Sequence, residues 1–508
     1  MNACPILSVL VFAPFAGAAL LAILPRCGPG LSRALSLAAS LSTLAIALAL
    51  LGSFDRGAAG YQFVERHSWV SSLNSHYSLG LDGLSLVLVL LTGIVAPACL
   101  LASWRQPREP RLFGILFLAA QGCALGVFLA LDFFHWFLFW ELSLVPVFFL
   151  IKLWGGPGAG RAAVQFVVYT LAGSAFLLLG FAAIYVATGS LGFSELARLA
   201  ASGELRARLA GLGLFWPRAV FLGVLLGLAV KVPLFPFHTW LPPAYAEAPT
   251  GVSMFLTGIM SKMGVYGFLR ILWPLFPASL HAAAIPLVWL ALGGVVFGAF
   301  AAMRQGDIKR MVAYSSINHL SYCLLALFAV AAPASPAGPA ATAALSGAVL
   351  QMFNHGLSAA ALFLCAGILE SRAGGRRGIG DFGGVRAAAP VFAGLCGIAL
   401  FSSLGLPGLN GFVGEFLIFR GVFGLVPWAA GIACLGLLAT AVFLLTFWQR
   451  VFHGPRAGAA SGEFAEVSGP DLGVLVFLAA LMILFGLLPQ LLAGIYNPLV
   501  TAWASHLP

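Results

Sequence analysis

Charge is what this chain has least of. Asp, Glu, Lys and Arg make up only 8% of its 508 residues, 61% are hydrophobic, and the mean hydropathy is +1.02. Water-soluble domains carry about 25% charged residues, so a soluble enzyme or binding module is excluded and the chain reads as an all-α polytopic membrane protein. Cysteine lacks any useful pattern: Cys4, Cys27, Cys99, Cys123, Cys323, Cys365, Cys396 and Cys434 are scattered, with no CxxC pair. Such spacing excludes a cysteine-ligated iron-sulfur site of familiar type and leaves small buried hydrophobes. No basic region precedes the first apolar run, where Arg26 is the first charge, so the opening segment reads as a retained helix and not a cleaved signal. No linker or soluble domain interrupts the chain; residues 455–470, with Glu463 and Glu466, form one polar loop.

What the chain does have is apolar runs long enough to cross about 30 Å of hydrocarbon. They predict fourteen spans, at about 5–24, 31–53, 80–103, 111–131, 133–154, 161–189, 219–245, 249–272, 282–303, 308–331, 340–371, 388–424, 427–449 and 472–495. The net charge of +10 sits in the short connections between them. Sixteen Lys and Arg follow odd-numbered spans and eight follow even-numbered ones, four of the eight within residues 190–218. That bias makes the loops after odd spans cytoplasmic and puts both termini on the other side. Topology thus accounts for the basic residues, and no nucleic-acid partner is implied. Residues 190–218 place Leu and Arg at helical spacing and predict an amphipathic helix lying on the membrane surface.

The two remaining cations, Lys231 and Lys262, lie inside spans. Lys231 stands in 220-VFLGVLLGLAVKVPLFPFHTWLPPAYAEAPT-250, followed by Pro233, Pro236, Pro242 and Pro243. A charge at the bilayer centre costs about 2.5–3.5 kcal/mol and tends to face a polar cavity with a partner. Proline frees backbone carbonyls, and such breaks persist only where protein or water satisfies them. A second break is written in 402-SSLGLPGLNGFVGEFLIF-419, where glycines and Pro407 precede Glu415. Interrupted helices at matching places in two halves point to an inverted repeat. The expected organisation is residues 1–110 as helices 1–3, 111–272 as a first five-helix repeat (helices 4–8), 282–450 as a second (helices 9–13), and 451–508 as a loop and helix 14, with helices 7 and 12 discontinuous.

The ionisable groups inside the membrane form a row: Glu141 in the fifth span, Lys231 and His238 in the seventh, Lys262 in the eighth, His319 in the tenth, His355 in the eleventh and Glu415 in the twelfth. Asp132 lies between the fourth and fifth, near an interface. Acids, amines and imidazoles in series suit proton transfer, and histidine titrates near neutral pH. Glu141 is flanked by aromatics that do not solvate it, so Lys231 is its expected partner. Burial favours neutral lysine and a nearby carboxylate favours the charged form, so moving the pair together or apart toggles a proton. Each group also has a plainer reading. Glu141 with Lys231 is then a structural ion pair, Lys262 snorkels toward the span end, His319 and His355 are packed against Ser or Asn, His238 caps the break, and Asp132 is an anchor. Gly378, Gly380 and Gly383 spell GxGxxG, but no strand precedes them, which excludes a dinucleotide site. No redox centre and no metal site are visible in this chain.

Several segments together resemble the antiporter-like membrane subunits of respiratory complex I, the proton-pumping NADH-quinone oxidoreductase. They are FWELSLVPVFFLI around Glu141, KVPLFPFHTWLP around Lys231, KMGVYGFLR at Lys262, DIKRMVAYSSINHLSY at 307–322, HGLSAAALFLCAG at 355–367 and GLPGLNGFVGEF at 405–416. Glutamate on the twelfth span, Glu415, is similar to the M-type subunit, where the L-type and N-type siblings have lysine. The resemblance implies proton translocation with no cofactor in this chain, while NADH, FMN, iron-sulfur clusters and quinone belong to partner subunits. It implies assembly between L-type and N-type siblings in an energy-transducing membrane, in contact with lipid. Carried over by position, Glu141 modulates Lys231; Lys262, His319 and His355 are the central axis; Glu415 is the terminal group; and His238 matches the histidine at the end of the broken helix. One departure stands out: the family's LPDAH reads LPPAY here, with Pro243 and Tyr245 in place of aspartate and histidine. A multi-subunit cation/proton antiporter or a membrane-bound hydrogenase arm shares these motifs and is the alternative.

Overall fold

Among the described residues of the computed structural model, twelve helices are long and apolar enough to cross a membrane. They are Ile6–Ile23, Pro29–Ser53, Gly83–Ala102, Pro110–Leu129, Phe133–Trp154, Ala159–Thr188, Thr250–Leu275, Pro277–Met303, Ile308–Val330, Pro339–Arg372, Pro427–Phe452 and Pro470–Leu487. These correspond to spans one to six, eight to eleven, thirteen and fourteen of the sequence reading. The two spans not among them are the two expected to be discontinuous. The seventh consists of Trp216–Lys231 and Leu241–Glu247, and the twelfth of Pro390–Ser403 and Asn410–Leu425. The structure describes residues 5–24, 28–105, 108–332, 338–458 and 464–505; Cys4, Arg26, Cys27 and Glu463 lie outside them.

The breaks have local causes. After Lys231 come Pro233 and Pro236, which offer no N–H to a continuing helix. In the twelfth span Gly405 (φ +80°) and Gly408 (φ +93°) take left-handed conformations that favour glycine, on either side of Pro407. The third, eighth, tenth and eleventh spans are buried almost all round, whereas the first, second and fourteenth expose most of their surface. A helix apolar on every side and covered by neighbours forms the core of a bundle, and these four carry or flank the row of ionisable groups.

Three features differ from the sequence reading. Between spans two and three, Gln62–Val70 and Ser75–Leu81 pair as an antiparallel hairpin, which the polar run of 54–79 does not announce. Residues 190–218 form two short helices and not one, Phe193–Ala201 and Glu204–Gly211, because Gly203 (φ +77°) separates them; the second meets Trp216–Lys231 at 111°. The last span ends at Leu487, before Pro489, and a further helix, Gln490–Ser505, packs its buried Tyr496 and Val500 beside the third and eleventh spans.

Candidate functional site

The eighth span is the hinge of the site. Two π-helical turns, Leu256–Met260 and Phe268–Leu272, bracket the α-helical turn Ser261–Gly267 that carries Lys262. Such turns are rare and redirect backbone groups. Here Thr257, inside the first, offers its carbonyl oxygen to Lys262 Nζ at 2.5 Å. Lys262 Nζ also reaches Ser261 Oγ at 3.2 Å and His355 Nδ1 at 2.8 Å. Three oxygen and nitrogen partners match the three donors of an ammonium, so the fully buried amine does not snorkel. Gly264 allows this placement: a Cβ there would stand 2.8 Å from the backbone nitrogen of Val232, just past Lys231.

From Lys262 the polar groups continue into the second half of the chain. The His355 and His319 ring centroids are 5.4 Å apart. His319 Nδ1 lies 2.9 Å from Glu415 Oε1, close enough for an ion pair but out of line for a hydrogen bond. Gln351 Nε2 donates to the same carboxylate oxygen at 3.1 Å. The break before Glu415 is pinned by Asn410, whose Oδ1 accepts from Ser402 Oγ at 2.6 Å and whose carbonyl accepts from Asn354 Nδ2 at 2.6 Å. Four of the six main candidates, Lys262, His355, His319 and Glu415, thus form one buried cluster across spans eight, eleven, ten and twelve.

Glu141 and Lys231 are held differently. They form no ion pair; Glu141 Oε1 and Lys231 Nζ are buried with no hydrogen-bond partner among the described residues. Lys231 Nζ sits 4.9 Å from the centroid of the Trp140 ring, and Trp140 Nε1 donates to Ser174 Oγ at 3.1 Å. A cation over an indole face is attracted by about 0.5–2 kcal/mol, less than a hydrogen-bonded carboxylate supplies. Glu141 also lines an apolar surface groove of about 540 Å³ with Leu138, Val145, Phe148 and Val167.

The accessory candidates lie outside the cluster. His238 stacks on Phe235 (ring centroids 5.5 Å apart) and meets Phe297 at 5.1 Å. Asp132 caps the fifth span, accepting from Phe134 N–H at 3.0 Å, and holds the hairpin through Ser75 Oγ at 2.9 Å and His76 N–H at 3.3 Å. At the divergent motif, the buried Tyr245 donates to the Leu256 carbonyl at 3.0 Å and packs against Phe363, tying the second half of the seventh span to the eighth.

Two charged groups were missed by the sequence reading. Arg270, which resembles one more loop charge, is buried and pairs with Asp82 at 2.7 Å. It also donates to Tyr61 Oη at 2.9 Å and Tyr266 Oη at 3.2 Å; burial pushes the Tyr61 phenol up to about 12 against the pull of Arg270. At the opposite end of the eighth span, Arg377 joins Glu247 at 2.5 Å, Asp307 at 2.6 Å and Glu370 at 3.6 Å, and Lys309 meets Glu370 at 2.5 Å. Glu247 also accepts from the Gly158 N–H at 2.9 Å. An acid at the end of one span and an arginine beyond another carry no mark in the sequence that they meet.

Residues 130–441 match the family model described as NADH:quinone oxidoreductase/Mrp antiporter, TM. NADH-quinone oxidoreductase subunit M of Mycobacterium tuberculosis is 35% identical, over 98% of this chain and 94% of that one. F(420)H(2) dehydrogenase subunit M of Methanosarcina mazei is 36% identical, over 89% of this chain and 88% of its own length. A chain of respiratory complex I from Thermus thermophilus with bound NADH superposes with a TM-score of 0.85 at 28% identity, covering 99% of this chain and all of that one. With matching motifs, a shared fold and full-length relatives, the chain belongs to the NADH:quinone oxidoreductase/Mrp antiporter family of membrane subunits.

Proposed function

We propose that this chain is the M-type, proton-translocating membrane subunit of an NADH-quinone oxidoreductase, seated between L-type and N-type siblings in a bacterial cytoplasmic membrane with both termini on the non-cytoplasmic side. The observation that carries the reading is the buried series Lys262–His355–His319–Glu415, which joins a base to an acid across the core. Electron transfer elsewhere, with NADH, FMN, iron-sulfur clusters and quinone in partner subunits, shifts the balance between Glu141 and Lys231. Lys231 passes its proton through water to Lys262, Lys262 to His355 through their shared contact, and His355 to His319 beside it. Glu415 is the last group toward the neighbouring subunit or the outside. Each charge moved against 100 mV needs about 2.3 kcal/mol, which the remote redox step supplies.

The same reading treats spans four to eight and nine to thirteen as inverted repeats. Placement of the breaks supports it: the seventh and twelfth spans, at matching positions of the two repeats, are both discontinuous. The test is Lys262→Ala in the assembled complex, reconstituted in vesicles: donor-driven proton uptake falls roughly tenfold or more, and unchanged uptake overturns the reading. The 36% identity to an F(420)H(2) dehydrogenase subunit favours one second reading, an electron-input module that does not use NADH. Identifying the soluble subunits that copurify separates the two.

A further inference from the structure

Lys262, Tyr266 and Arg270 recur at four-residue spacing along the eighth span, so Arg270 lies about 12 Å from Lys262 along the helix axis. On the hairpin side of Arg270 is a cavity of about 220 Å³ lined by Tyr61, Arg66, His76, Asp132 and Glu195 among others. Tyr61 belongs to both places: it lines the cavity, and its hydroxyl accepts from Arg270 Nη1. Tyr61, Arg270 and Tyr266 therefore stand in sequence between a charged outer cavity and the buried axis at Lys262.

The composition of that set is unsuited to conduction. The Arg270 guanidinium lies between two rings, 5.1 Å from the Tyr61 centroid and 5.2 Å from that of Tyr266. Its donors are taken by Tyr266 Oη (3.2 Å), Tyr61 Oη (2.9 Å), Ser85 Oγ (3.2 Å) and both oxygens of Asp82 (2.8 and 2.7 Å). Asp82 Oδ1 accepts from Ser85 N–H as well, at 3.0 Å, and Tyr266 Oη donates to the Phe128 carbonyl at 3.0 Å. A guanidinium has no acceptor and does not deprotonate in proteins, so it hands on no proton. A fixed cation in a narrow passage also repels hydronium and metal cations. Asp82 offsets the cost of burying the charge, and its oxygens are occupied, which removes it as an alternative carrier.

We propose that Arg270, held by Asp82 and the two tyrosines, is the barrier that closes the Lys262 axis to the hairpin-side cavity and prevents protons from returning through it. The inference rests on the proton-translocation reading, and its test uses no electron donor, so the two fail separately. In vesicles holding the assembled complex without donor, a pH step is imposed and passive proton flux is followed. Arg270→Gln with Asp82→Asn raises the flux at least about fivefold over wild type. Wild-type flux through the assembled double variant overturns the proposal, whatever the variant's donor-driven uptake. Single cysteines give an independent measurement should the double variant not assemble. Ser194→Cys, in the cavity wall, reacts with a membrane-impermeant maleimide added on the hairpin side, and Ser85→Cys, behind the guanidinium, is protected; labelling of Ser85→Cys in an active complex overturns the proposal.

Discussion

At the seventh span Lys231 Nζ meets a tryptophan ring and stands apart from Glu141, while at the twelfth Glu415 is held by His319 and Gln351. Both sites adjoin a helix break, and both bury a charge, but one leaves its amine without a hydrogen-bond partner and the other holds its carboxylate. An unpaired buried ion is the costlier arrangement. A modest displacement of Lys231 or Glu141 would therefore release more free energy than a similar displacement at Glu415. The contrast assigns the two halves different work under the proposed function: the first half responds to an outside stimulus, and the second passes on what it receives.

That division breaks if the two lysines act independently. Lys231→Ala lowers donor-driven proton uptake about as far as Lys262→Ala, roughly tenfold or more, and the double variant is no worse, because groups in series are not additive. Additive losses in reconstituted vesicles would mean two separate routes. A smaller loss, about three- to tenfold, follows Glu415→Gln, which removes the charge beside His319 while keeping its shape; uptake equal to wild type would reduce the paired half to packing.

Smaller again is the effect of Glu247→Gln, at the end of the seventh span, whose carboxylate joins Arg377 at 2.5 Å and accepts from the Gly158 N–H at 2.9 Å. The substitution costs about 1–2 kcal/mol and lowers the temperature of thermal inactivation; an unchanged temperature would remove Glu247 from the latch around Arg377. The least effect is expected of His238→Phe, since the ring stacks between Phe235 and Phe297 with no polar partner for Nδ1 among the described residues. Uptake stays within about twofold, and a large loss would move His238 onto the path.

The spans, both breaks and every member of the buried cluster were legible in the sequence, because hydrocarbon makes long apolar runs and isolated charges conspicuous. The hairpin was not: QFVERHSWV and SHYSLGL are short, mixed in polarity and overshadowed by their neighbours. Arg270 counts among the basic residues that follow even-numbered spans, because a cation near a span end satisfies topology by itself, and Asp82 announces only a helix cap. The π turns around Lys262 have no residue signature, since they arise from packing against Val232 and the eleventh span. Whether Lys231 meets Glu141 is also unwritten in composition, as it turns on the direction of two side chains.

The hairpin touches parts of the chain made at very different times. Glu65 accepts from the backbone of Leu7 at the first span, Asp132 of the fifth span holds Ser75, and Asp82, where the hairpin ends, waits for Arg270 of the eighth. Because the chain is made N-terminus first, Asp82 exists well before the arginine 188 residues further on. This ion pair therefore joins the hairpin to the eighth span only after all eight spans have been made.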